Sequence, residues 1–162
     1  MGLLVVLSLQ GCGSEPAFLP IPKEQQPTVS LNGFDIPKFP TAQGQLNFAK
    51  SWFSDTREKK TALLIVKKLF PRARLQCGNA DLALAYMNLG EDYRFASRSN
   101  FLMAITDYRK LLDQYRNQPR ILAQAHWYLG WIHCELLGEK YKGLVHFKII
   151  AAQYPGVTME LF

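Results

Sequence analysis

The twelve residues Leu82–Tyr93 return forty positions later as Leu122–His133. LALAYMNLGEDY becomes LAQAHWYLGWIH, with Leu82/Leu122, Ala83/Ala123, Ala85/Ala125, Leu89/Leu129 and Gly90/Gly130 in register. Self-similarity at a fixed period of this length marks a stacked array of structural units. One such unit cannot bury its apolar face alone and packs on its neighbour. The repeat therefore predicts an all-α fold of antiparallel helical hairpins and favours binding over catalysis.

The second half of each unit repeats as well. Ala104, Tyr108, Leu111 and Tyr115 map onto Gly143, Phe147, Ile150 and Tyr154, with spacings of four, three and four in both sets. Those steps keep one helix face. The small residue lets a partner backbone approach, and the ring one turn later fills the space between helices. Pro155 and Gly156 end the unit, since neither continues a helix well. A weaker copy lies upstream, with Phe48, Ala49 and Trp52 on its first helix and Leu63, Val66, Phe70 and Pro71 on its second. Lys59 stands there in place of the small residue.

On these residues the chain resembles the tetratricopeptide repeat family. That motif pairs a Leu-Gly and a downstream aromatic on helix A with a small residue, an aromatic and a closing Pro on helix B. Leu89-Gly90 with Tyr93 fits, as does Leu129-Gly130 with His133 in the aromatic place; Gly143, Phe147 and Pro155 fit, and Arg116 replaces the Pro in the middle unit. The period of about forty exceeds the usual thirty-four, the excess falling in the turns. The resemblance covers roughly residues 46–156 and implies an α-solenoid of two and a half to three repeats, here assigned to 42–162.

Proline divides the 162-residue chain: six of nine prolines fall between Pro16 and Pro40. Residues 12–41 read as an extended, partly polyproline tether. Phe34, Ile36 and Phe39 could lay part of it on the repeat surface. Ahead of it, MGLLVVLSLQGC holds an apolar run too short to span a bilayer as a helix. Leu9-Gln10-Gly11-Cys12 resembles a bacterial lipoprotein signal, in which residues 1–11 are removed and Cys12 is diacylated. No Lys or Arg precedes the run, unlike most signal peptides. Gly13 after Cys12 implies, by analogy with such lipoproteins, the periplasmic face of the outer membrane. An ordinary buried apolar segment with a chance Cys is the competing reading. The other cysteines, Cys77 and Cys134, sit near opposite ends of equivalent helices. Seventeen residues of helix is roughly 25 Å, far beyond disulfide reach.

The net charge of +6 is local, because segment 50–74 holds eight Lys and Arg against two acidic residues. This segment either contacts an anionic surface or is a solvated face on an end unit. Nucleic acid is disfavoured, since no stacking aromatics interleave with the lysines. Catalytic constellations, phosphate loops and nucleophile elbows are absent from the sequence. His126 and His133 lie two turns apart, about 10.5 Å along a helix, too far to share a metal. No cofactor is expected.

Helix geometry gives the binding candidate. With Leu129, Gly130, His126 and His133 turned to helix B, the stripe Gln124, Trp127, Trp131 and Glu135 is left on another face. Its counterparts one unit earlier are Leu84, Met87, Glu91 and Phe95, with Arg94 nearby. Together they would form an apolar groove with charged edges, suited to an extended peptide or a partner helix. The alternative is that Trp127 is core or that Phe34 fills the groove. The expected function is an outer-membrane-anchored repeat lipoprotein scaffolding envelope assembly, similar to those serving β-barrel or pilus assembly. A soluble periplasmic or cytosolic peptide-binding adaptor is the runner-up.

Overall fold

The computed structural model describes residues 26–51, 55–90 and 93–159. The expectations for the leader, Cys12 and the start of the tether, for Trp52 and for Glu91 lie outside those residues.

A two-stranded hairpin, β1 (Thr28–Leu31) and β2 (Phe34–Pro37), precedes six helices: α1 (Ala42–Lys50), α2 (Thr56–Leu69), α3 (Arg74–Met87), α4 (Arg98–Gln114), α5 (Pro119–Trp131) and α6 (Lys140–Gln153). A short 3₁₀ turn at Tyr93–Phe95 leads into α4, and α5 runs on into a π-type turn at Ile132–Leu136. Local chemistry sets these bounds. Thr41 caps α1 by accepting from the Gly44 amide, and Asp55 caps α2 by accepting from the Arg57 amide. Ser97 opens α4 in a reciprocal capping box with Asn100. Pro119 takes the first turn of α5, where its missing N–H costs nothing. Leu69 ends α2 just before Phe70-Pro71, and Gln153 ends α6 just before Tyr154-Pro155.

Each helix packs on its neighbours in sequence, and α1 also packs on α3, and α3 on α5. The alternate helices α2, α4 and α6 make no packing contact with one another. Two apolar cores result. One gathers Ile36, Leu46, Leu63 and Val66 with Ala80 and Ala83 of α3. The other gathers Leu82 and Ala85 of α3 with Tyr108, Leu111, Tyr128 and Leu129.

Two expectations meet a different outcome here. Within the segment read as an extended tether, Thr28–Pro37 is a hairpin, with Val29 opposite Ile36. Its turn is Asn32-Gly33, both at positive φ (52° and 80°), the geometry that two-residue hairpin turns need. Ile36 is fully buried against α2. The buried Gln45 side chain fastens the hairpin's exit: it accepts from the Phe39 amide at 2.9 Å and donates to the Pro37 carbonyl at 3.0 Å. The second concerns the matched glycines. Gly130 lies inside α5, whereas Gly90 lies beyond the end of α3 at φ 95°. Leu89 and Leu129 are equally buried, but the glycines beside them do different work.

Candidate partner-binding face

Helix α5 carries the densest aromatic stretch. Tyr128 is buried and stacks on Tyr108 of α4, with centroids 5.0 Å apart and planes within 9°. Trp127 meets Tyr128 edge-on at 5.1 Å and stacks on Trp131 at 6.2 Å, and Tyr93 meets Trp131 edge-on at 5.1 Å. Edge and offset contacts of this kind are favourable for rings. The ladder therefore runs from fully buried Tyr108 to half-buried Trp127 and Trp131 and exposed Tyr93. Both tryptophans belong partly to the core and partly to the surface, a mixture of the two sequence readings.

The other proposed groove residues divide. Gln124 is 0% exposed and lies inside the fold; it is not a groove wall. Ile121, Ala125 and Tyr128 pack into the core around it on the α3–α4 side of α5, while His126 packs towards α6. Glu135 is exposed but sits in the π-type turn, where the wider turn breaks the 3.6-residue spacing that put it in line with Trp131. Leu84 and Met87 are half-buried and pack on the first core, whereas the tryptophans pack on the second. Arg94 is exposed, with its guanidinium 5.9 Å from the ring of Phe95. Met87 also borders a cleft of about 290 Å³ between α1, α2 and α3, lined with it by Lys50, Lys59, Leu63 and Tyr86. Sequence spacing missed Tyr93 and Tyr86 as neighbours of α5, since their contacts cross between helices.

The three histidines meet at the α5–α6 seam. His126 Nδ1 and His146 Nδ1 are 2.9 Å apart, and the His133 ring lies parallel to His146 at 5.9 Å. His133 Nδ1 is 2.7 Å from Glu139, which also pairs with Lys142. His126 and His133 are two turns apart as expected, and His146 of α6 inserts between them. Burial pushes His146 down to about 4, with His126, His133 and Arg109 adding to the effect, and burial lowers His126 too. At neutral pH both rings are therefore neutral, and one proton lies across the Nδ1 pair. Among the described residues no three His, Cys, Asp or Glu side chains are placed to hold a metal ion.

The seam closes on glycine. A Cβ on Gly130 would lie 2.7 Å from the Phe147 ring, and one on Gly143 would strike Cys134 Sγ and sit 2.5 Å from the Gly130 carbonyl. Cys77 and Cys134 are free thiols. Among the described residues no helix is long and apolar enough to cross a membrane. No protein family, curated protein or solved structure matches the chain.

Proposed function

We propose that this chain is a helical-hairpin repeat scaffold of the tetratricopeptide kind. In this reading it is anchored by acylated Cys12 at the periplasmic face of a bacterial outer membrane and holds a protein partner for envelope assembly. The half-buried Trp127–Trp131 stack, edged by exposed Tyr93, carries the binding part. Large rings held rigid by a buried ladder cost little entropy to place and are the residues that dominate interface energetics. The side-by-side packing of α1, α3 and α5 supports the repeat reading, because an inner row of first helices is what such arrays need.

Trp131→Ala tests it. A partner-anchoring ring loses about 2 kcal/mol or more of binding when truncated, with a small change in melting. A core ring loses about 3–5 kcal/mol of stability. Envelope proteins held by the parent and dropped by a variant of unchanged melting support the reading; a large melting loss, or unchanged capture, removes it. Anchoring is tested apart: Cys12→Ser is expected to make the protein extractable from the membrane fraction by high salt, whereas the acylated parent needs detergent, since stable attachment takes two acyl chains.

A further inference from the structure

Helices α2, α4 and α6 share a feature that the aromatic face does not explain. They hold five, three and three Lys or Arg against one, two and no Asp or Glu. The alternate helices α1, α3 and α5 are nearly neutral, with one, one and one basic residue against none, one and none. Apart from Tyr93 and Phe95 in the 3₁₀ turn, the exposed large apolar side chains follow the same division. Leu64 is on α2, Leu102 and Met103 on α4, and Tyr141, Leu144 and Val145 on α6.

Charge and apolar surface are interleaved at helical spacing. Leu64 lies one turn from Lys60 and from Lys68; Leu144 lies one turn from Lys140 and from Lys148. These leucines are 36% and 48% exposed, and Leu102, one turn after Arg98, is 49% exposed. Lys60, Lys68, Lys140 and Lys148 make no ion pair among the described residues, whereas Lys67, Lys110 and Lys142 pair with Asp81, Asp107 and Glu139. On α6 Tyr141, Leu144 and Val145 are exposed, whereas Phe147, Ile149 and Ile150 are part-buried, so the helix keeps an apolar strip on its outer side.

We infer that the outer row α2–α4–α6 is a docking surface for anionic lipid headgroups. Three separate helices, with no packing between them, each present a short exposed apolar cluster (Leu64; Leu102 and Met103; Tyr141, Leu144 and Val145) with Lys or Arg one turn away. A protein interface favours a contiguous, closely packed centre from which Lys is depleted. A fluid bilayer surface needs no such fit: leucine side chains dip into the acyl boundary while lysine stems lie alongside and hold their ammonium groups at the phosphates. The highly exposed Tyr141 is a side chain suited to that boundary. The surface is independent of Cys12 acylation.

The full-length Cys12→Ser chain, which carries no acyl group, separates the two. It is expected to sediment with mixed phosphatidylglycerol–phosphatidylcholine vesicles, to bind pure phosphatidylcholine vesicles much less, and to weaken as salt rises. In that background Lys60→Gln, Lys68→Gln, Lys140→Gln and Lys148→Gln should each weaken binding by roughly fivefold. The combined Leu64→Ser, Leu102→Ser and Leu144→Ser variant should melt like its parent and bind roughly tenfold less tightly or worse. Absence of vesicle binding, equal binding to neutral vesicles, or a triple serine variant that binds as well as its parent each overturns the inference. So does polyglutamate binding that matches the anionic vesicles, which gives the face to an acidic protein. Concentration-dependent dimerisation abolished by Leu144→Ser also overturns it, giving the face to a second copy.

Discussion

At Gly143 one missing methyl group decides how closely two helices meet. Its Cβ would strike Cys134 Sγ and the Gly130 carbonyl, and the carbonyl cannot turn aside, whereas a Cβ on Gly130 meets the tip of the Phe147 ring. Overpacking costs about 1–3 kcal/mol where side chains can give way. Gly130→Ala is expected within that range and Gly143→Ala above it, in paired thermal melts; the reverse order would mean that α6 sits in another register. The small-then-aromatic pattern of Gly143 and Phe147 was legible in the sequence, because spacing along one helix shows it. That Gly130 turns to helix B was suggested by the repeat, but the same logic failed for Gly90. Identical letters at one period do not fix φ when one copy stands inside a helix and the other beyond its end.

Among elements, the α5–α6 seam depends on pH. His146 and His126 are held below the ordinary value of 6.5, so the folded state prefers both neutral. The unfolded chain takes up those protons as pH falls through 6.5, while in the fold His146 resists until about 4 and His126 takes its proton below the ordinary value. The stabilisation is therefore complete above pH 6.5 and drains away between there and about 4. Melting temperature followed across that window should fall, and His146→Gln should flatten the fall. A parent and variant with parallel profiles would show that the layer does not titrate with folding. Glu139, held low by its bonds to His133 and Lys142, contributes over a lower window, as pH drops below 4.5. All six helices could be read from the repeat, its periodicity and the Pro-terminated ends. The hairpin was not, although Asn32-Gly33 between alternating residues is its signal; the surrounding prolines argued for extended chain, and Pro37 fits only because it closes the strand. The histidine layer was beyond reach, since the sequence sets spacing along α5 but not how α6 slides against it. For the same reason Gln124 was placed on a groove it does not line.

For the whole molecule, α3 is the wall between two cores. Ala80 and Ala83 face one, Leu82 and Ala85 the other. Asp81 ties both sides: it takes Lys67 of α2 at 2.6 Å and the hydroxyl of Tyr115, at the end of α4, at 2.7 Å. Burial, and then that bond, raise the Tyr115 phenol, so the hydroxyl stays protonated and donating. Asp81→Ala leaves the hydroxyl without its acceptor and is expected to cost about 1–3 kcal/mol. Because the cores share a helix, fluorescence and circular dichroism should still report one coincident transition; two separated transitions would show that the halves fold alone. A shared wall also bears on inheritance. A substitution on α1 or α4 is judged by one core, and its neighbours can compensate locally. A substitution on α3 is judged twice, by packings with different shapes, so this helix is where the chain is least free to drift.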